Sequence, residues 1–305
     1  MKPIFKDNYV TSVMSLNDAF IPYLSTFLLS VMENASESHS YDFIILHRDI
    51  KESSKKLMKQ MIKNKKNFYI RFYDIGNRFD KYEMFLHEHF TIETYFRLLI
   101  PEILENYNKV LYLDADIIVN ADLYDLLNQD ISGYLLGAVM DITMLTFAGA
   151  YEETRRILRD TVKIDRTEEY FNAGVMVLNI PLLKKNFSTE YLLKTAASKE
   201  WPTVDQDVLN YLCKGRVKLL DMRWNLMFDY IGRMELMKKV LSKSYYNMYL
   251  EARMEPKIIH YAGCPKPWQI PEADFADCFW KYARQSPFYE RIISNMSTFV
   301  WEREN

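Results

Sequence analysis

KVLYLDADIIV, residues 109–119, decides the fold. Val110 to Leu113 is an apolar, β-prone run that delivers the chain directly into Asp114-Ala115-Asp116. A strand with no polar face is buried on both sides, which is the habit of a parallel sheet covered by helices. The rest of the chain supplies the alternation such a sheet needs. Val10–Met14, Tyr41–His47 and Phe68–Ile75 read as strands. Between them lie two helical stretches, one with Pro22 in its first turn and ending near Asn34, the other spanning Lys51–Lys66. A helix over Thr91–Leu104, bent at Pro101, precedes the 109–113 strand. Tyr134–Met140, Gly174–Ile180 and Lys257–Tyr261 read as later strands. Pro181–Lys199, Val204–Cys213, Phe275–Arg284 and Pro287–Val300 read as helices. Strands alternating with helices imply an α/β, mostly parallel, doubly wound central sheet flanked by helices. Such sheets bind ligands at the carboxyl ends of their strands, where Asp114 and Asp116 stand.

Bulk properties exclude several classes. The 305 residues carry a formal charge of −2, which gives nucleic acid no purchase. The three cysteines form no CxxC pair, so neither a disulfide framework nor a zinc site is indicated, and a reducing, cytoplasmic setting is expected. Polar residues interrupt the apolar N-terminal stretches, so no signal peptide or membrane span is expected. The lysine-rich 51–66 stretch reads as a solvated face. The closing apolar stripe Phe288, Ile292, Ile293, Met296, Phe299, Val300 and Trp301 allows a weak peripheral contact at the inner face of a membrane. Its flanking arginines are balanced by glutamates, which favours packing on the domain instead. No GxGxxG follows the first strand, so a dinucleotide-binding enzyme is disfavoured.

Four motifs carry chemistry. Asp114 and Asp116, two apart in extended chain, can present both carboxylates to one hard cation such as Mn2+ or Mg2+. Turn decoration is the competing reading. In IIHYAGCPKPW, residues 258–268, His260 ends a strand and offers an imidazole. Gly263 allows close backbone approach to a phosphate, and Lys266 offers it a point charge. Asp205-Gln206-Asp207 opens a helix, where acidic residues also serve as caps, although Gln206 is free to face a cleft. Asn172-Ala173-Gly174-Val175 reads, on its own, as a polar turn entering a strand. Of five histidines, His39 and His47 fall in settings read as exposed, while His87 and His89 are ambiguous. No Ser/His/Asp or HExxH arrangement is present.

KVLYLDADIIV, YFNAGVMVLNI, DQDVLN and HYAGCPKPW, in that order and preceded by TIETYFRL, resemble glycosyltransferase family 8, the retaining group with a GT-A fold. It includes bacterial lipooligosaccharide transferases and glycogenin. The resemblance runs from about Thr11 to about Trp268. It implies a catalytic domain over 1–270 and a C-terminal helical extension over 271–305 packed on it. It implies Asp114, Asp116 and His260 as ligands for Mn2+, with Mg2+ as the alternative. Gly263 and Lys266 become the diphosphate pair, with Ala115 beside the metal. Arg97, Asp141, Asn172, Asp205 and Gln206 surround the donor sugar, Gln206 matching the glutamine near the reacting carbon. The family's first loop, Ser-x-Asp-Asp-Asn-Tyr, meets the base; here it reads Ser15-Leu16-Asn17-Asp18-Ala19-Phe20. Ser15 and Asn17 remain able to bond a base, whereas Ala19 is not. The implied function is metal-dependent, retaining transfer of glucose or galactose from a UDP-sugar to a saccharide hydroxyl, with a cell-surface glycan as acceptor. A sugar-nucleotide nucleotidyltransferase and a non-catalytic glycan-binding protein are the rival readings. The first would need a Gly- and Lys/Arg-rich opening loop.

Overall fold

The computed structural model describes residues 1–87, 90–230 and 232–304, with side chains through Met296. The first half winds as its sequence pattern dictates. β1 (Tyr9–Ser15) leads through the Ile21–Asn34 helix to β2 (Ser40–His47), then through the Glu52–Met61 helix to β3 (Phe68–Asp74). The chain then crosses back to β4 (Lys109–Leu113), which pairs with the other edge of β1. β5 (Ile117–Val119), β6 (Leu136–Met140), β7 (Phe171–Asn179), β8 (Val217–Leu219), β9 (Leu226–Met227) and β10 (Ile258–His260) follow. The main sheet has the order β3-β2-β1-β4-β7-β6-β8. All neighbours run parallel except at β7, which is antiparallel to both β4 and β6. The winding direction reverses between β1 and β4, and that is where an open α/β sheet leaves a crevice.

Period-two alternation sorts the central strands between two cores. Val10, Met14, Phe43, Ile45, Leu111 and Leu113 face one side. Val13, Ile44, Leu46, Val110 and Tyr112 face the other. Both faces are covered, which explains the unbroken apolar runs.

A second sheet, β5-β10-β9, was not indicated by the sequence pattern. β10 runs antiparallel to β5, pairing His260 with Ile117 and Ile258 with Val119. A further apolar cluster joins this small sheet to the C-terminal helices Ala276–Ala283 and Tyr289–Glu304, through Ile118, Ile259, Tyr261, Phe279, Trp280 and Ile292. Of the closing stripe, Phe288 and Ile292 are buried; the side chains of Phe299, Val300 and Trp301 lie outside the described residues. No helix among the described residues is long and apolar enough to cross a membrane.

Several boundaries differ from expectation. The 51–66 helix ends at Met61, because Lys63, Asn64, Lys65 and Lys66 are all exposed and offer no apolar side chain to dock another turn. Thr91–Leu104 is a 3-10 helix over Ile92–Leu99 followed by one turn of α-helix, Ile100–Ile103. Pro101 opens that turn rather than bending a long helix, because its missing N–H costs nothing there. The 181–199 stretch is two helices, Ile180–Asn186 and Thr189–Ala196, the second capped by Ser188. β7 starts at Phe171, so Asn172 and Gly174 are inside a strand rather than in a turn. The Asn210 side chain bonds both the N–H and the C=O of Phe171, each at 2.9 Å, and so prolongs the ladder. His47 is buried at the end of β2, not exposed, because β2 is covered from Tyr41 onward. His39 is half-buried, 2.9 Å from Asp122. His87 lies 3.3 Å from the Trp201 carbonyl, and His89 falls outside the described residues. The three cysteines are free thiols.

Asp122 ties β5's exit to the first helix's end. Its carboxylate accepts from Tyr124 N–H at 2.9 Å, Ser36 N–H at 3.1 Å and the Tyr41 hydroxyl at 2.7 Å. Asp122→Ala strips the Tyr124 N–H and the Tyr41 hydroxyl of their acceptor, while the Ser36 N–H keeps the Tyr41 oxygen at 3.0 Å, and is expected to cost about 1–3 kcal/mol in urea denaturation, with Asp122→Asn keeping about half of that stability.

Candidate active site

At the β1/β4 crevice the β5–β10 ladder sets His260 beside the Asp114–Asp116 pair. The same register lets the Tyr261 N–H donate to the Asp116 carbonyl at 3.0 Å. His260 Nε2 lies 3.7 Å from Asp114 Oδ2 and 3.3 Å from Asp116 Oδ1. One ligand atom from each residue falls within 4.8 Å of the others, as a single cation requires. The supporting atoms are also arranged. Asp114 Oδ1 accepts from Arg97 Nη2 at 3.1 Å and from the Tyr112 hydroxyl at 3.0 Å, which leaves Oδ2 for an ion. His260 Nδ1 is 2.9 Å from Asn225 Oδ1, so an Nδ1–H tautomer leaves the Nε2 lone pair facing the carboxylates. Gly174 supplies the floor: a Cβ there would stand 2.3 Å from His260 Cε1 and 2.5 Å from Asp114 Oδ2. Carboxylate and imidazole donors on a floor bare of side chain fit a divalent ion of the Mn2+ or Mg2+ kind.

Lys266 adds a fixed cation. Its ammonium is 2.5 Å from Asp116 Oδ2 and 2.6 Å from the Tyr261 carbonyl. Burial opposes charge on Asp116, but Lys266 and then His260 hold its carboxyl far below the usual range. Gly263, at φ +113°, packs under the Tyr230 ring, where a Cβ would come within 2.6 Å. Its conformation is one that glycine adopts readily.

A second polar cluster faces this one. Gln206, in the first turn of the Val204–Cys213 helix, accepts through Oε1 from Asn172 Nδ2 at 3.1 Å and Ala173 N–H at 3.0 Å. Its Nε2 donates to Asp141 Oδ2 at 3.1 Å. Asp141 Oδ1 caps the Ile142–Ala150 helix by accepting from Met144 N–H at 2.8 Å. Asn172 Oδ1 accepts from Asn225 Nδ2 at 2.9 Å, so an amide chain joins Gln206 to His260. Arg97 runs beneath both clusters, 2.8 Å from Asp205 Oδ2 and donating to the Ala173 carbonyl at 2.7 Å. The cap reading of the DQD motif holds for Asp207, which accepts from Thr203 N–H and the Tyr170 hydroxyl behind the helix start. Asp205 points to the cleft instead.

The cleft encloses about 340 Å3 and brings together Ser15, Asn17, Arg97, Asp114, Ala115, Asp116, Asn172, Asp205, Gln206, His260, Gly263 and Lys266. Asp141 alone of the expected residues stands behind the lining, against Gln206 and Asn172. Asn17 Oδ1 accepts from Ala19 N–H at 3.1 Å, so the Asn17 oxygen is engaged within its own loop. Asn225, Tyr112 and Gly174 complete the site beyond the residues that the motifs mark as ligands or donor contacts. Gly174 sits inside a quoted motif; Asn225 lies in a stretch with no pattern to mark it.

Residues 11–270 match the family described as glycosyl transferase family 8. This chain belongs to glycosyltransferase family 8. The bifunctional glycosyltransferase WbbM superposes on it with a TM-score of 0.85 and 27% identity, over 96% of this chain and 52% of WbbM. This family-8 chain thus spans about half of that larger protein. The galactosyltransferase LgtC, in complex with donor and acceptor sugar analogues, superposes with a TM-score of 0.72 and 26% identity, over 91% of this chain and 96% of LgtC. The lipopolysaccharide 1,2-glucosyltransferase of Escherichia coli K12 is 30% identical over 177 residues, 57% of this chain and 48% of that protein. The family-8 chain is therefore a glycosyltransferase with the GT-A fold, as its motifs led one to expect.

Two outcomes follow from this geometry. Gly174→Ala is expected to push His260 from Asp114 and weaken Mn2+ binding at least about tenfold by electron paramagnetic resonance, with the far-ultraviolet dichroism unchanged. Burial lifts the Asp205 carboxyl to about 6 despite Arg97 beside it. A carboxyl raised on folding binds its proton more tightly in the folded state, so its contribution is complete at low pH and is lost as pH rises through that value. The metal-free protein should lose on the order of 3 kcal/mol relative to Asp205→Asn between about pH 4 and about pH 6, then hold a constant difference. Urea denaturation at stepped pH reads this directly, and a flat difference would contradict it.

Proposed function

We propose that this glycosyltransferase moves glucose or galactose from a UDP-sugar to a hydroxyl of a saccharide acceptor, with retention, using Mn2+ held by Asp114, Asp116 and His260. Mg2+ is the alternative ion. The observation that carries this reading is the meeting, in one cleft, of a three-ligand cation site, a lysine beside it and a rigid amide cluster opposite. The names of the similar proteins support a hexose donor and a cell-surface glycan acceptor. The catalytic unit is residues 1–270, with 271–305 as an extension packed upon it. Three free thiols support a reducing, cytoplasmic setting.

Each group has a task its surroundings prepare. The metal, when bound, neutralises the diphosphate and makes it a better leaving group. Lys266, on a flexible stem, exchanges Asp116 for a phosphate oxygen, while Gly263 keeps the backbone close enough for contact. Asn17 and Ser15 meet the base; the amide NH2 of Asn17 donates to a uracil carbonyl. Gln206 cannot swing away, because both ends of its amide are bonded, so it stays against the face of the sugar as positive charge develops. Asp205, Asn172 and Arg97 hold the hexose hydroxyls, and Asp141 holds Gln206. Attack comes from the face the diphosphate leaves. The anomeric carbon's bond to phosphate breaks, its bond to the acceptor oxygen forms, and the acceptor's proton passes to the departing phosphate oxygen. No separate strong base is needed.

The test is nucleoside-diphosphate release from UDP-, GDP- and ADP-sugars, with Mn2+ and with EDTA. Release from one UDP-hexose is expected, and both EDTA and Asp116→Ala should reduce it at least about 100-fold. A protein that binds neither Mn2+ nor UDP in calorimetry would refute the reading.

A further inference from the structure

We infer that Arg291 and Asn295, on the closing Tyr289–Glu304 helix, are positioning residues for the nucleoside end of the cleft. The inference rests on the donor reading above and adds to it a part of the chain that lies beyond the family match, which ends at residue 270. Arg291 Nη2 donates to the Asp18 carbonyl at 2.8 Å and stands 3.2 Å from Asp18 Oδ2. Asp18 is almost fully buried, and its other oxygen accepts from the Lys51 N–H at 3.1 Å. Asp18 sits in the middle of the first loop, whose Ser15, Leu16, Asn17 and Phe20 line the cleft. Burial alone would raise the Asp18 carboxyl, but the Ser54 hydroxyl, the Lys51 amide and Arg291 together hold it low, so it is a charged group that needs its partners.

Four residues along the helix, Asn295 Nδ2 donates to the Tyr23 hydroxyl at 3.0 Å. The Tyr23 ring is stacked on Trp268, with centroids 4.0 Å apart and planes 20° apart. Trp268 belongs to the same loop as Gly263 and Lys266. Positions four apart share one helix face, so a single face of this helix meets the first loop directly and, through the Tyr23 ring, the Trp268 end of the loop that carries Gly263 and Lys266. Between the two polar residues Ile292 is completely buried, which already docks the helix through apolar contact. The polar pair is therefore not required to attach the helix. It sets the conformation of the loops. One guanidinium nitrogen that meets both the main-chain oxygen and the carboxylate of Asp18 restrains the turn itself, and not only its charge.

The experiment measures UDP affinity by calorimetry at saturating Mn2+, and Mn2+ affinity without nucleotide by electron paramagnetic resonance. Arg291→Gln is expected to weaken UDP binding about tenfold and leave Mn2+ binding within about twofold of wild type. Arg291→Lys should restore most of the loss, since an ammonium can reach both oxygens of Asp18. Asp18→Asn in the Arg291→Gln background should add little, because both changes remove the same restraint. Asn295→Ala, at a solvent-exposed position, should weaken UDP binding about threefold and serves as the readout if Arg291→Gln does not fold. Unchanged UDP affinity in Arg291→Gln or, if that variant does not fold, in Asn295→Ala would overturn the inference, as would a loss of Mn2+ affinity equal to that of UDP. Wild-type protein that binds no UDP would instead remove the donor reading beneath it.

Discussion

The antiparallel pairing of Ile117–Val119 with Ile258–His260 is the constraint on which the site depends. It is only three residues long, yet it brings two distant stretches of chain into one group of side chains that could hold a cation. A strand pairing has a side-chain period of two, so a slip of one residue would turn His260 to the opposite face. The register is secured by burial on both sides: Ile118 and Ile259 enter the cluster shared with the C-terminal helices, while Ile117, Val119 and Ile258 enter the main core. The apolar residues of this ladder thus determine where its polar residue points.

From His260 the arrangement spreads through hydrogen bonds that leave few choices open. Asn225 orients the imidazole, Asn172 orients Asn225, and Gln206 and Asp141 complete the chain. Asn172 can serve in this way because it lies within β7, two residues before the Gly174 floor and so on the same face of the strand. Arg97 stabilises the opposite side by meeting Asp114 and Asp205 together. Burial raises the cost of charging any one of these groups, so each depends on the others staying in place.

What could be read from the sequence was local. The apolar run into Asp114, the DQD start of the Val204–Cys213 helix and the strand ending at His260 each declare themselves within a few residues. What could not be read depends on a partner far along the chain. Nothing near Gly174 signals that it lies beneath His260, and nothing near Asn225 signals its role as that ring's acceptor. β7 reads as one more strand in a parallel sheet; its reversed direction is set by pairing, not by composition. The 92–99 stretch has helical periodicity, but Arg97 bonding the Thr94 carbonyl three residues back, and both residues meeting Asp205, accompany the tighter 3-10 winding.

The ammonium of Lys266 on Asp116 has a consequence for how the cleft behaves at rest. Asp114, Asp116 and Asp205 crowd its floor and wall, and without compensation they would repel one another and draw in water. Lys266 and Arg97 supply that compensation from within the chain. The protein thereby carries its own counter-charge beside the group that could hold a cation. Filling the cleft is then an exchange of partners on a standing framework, and the entropy of assembling that framework has been spent during folding rather than at the moment of encounter.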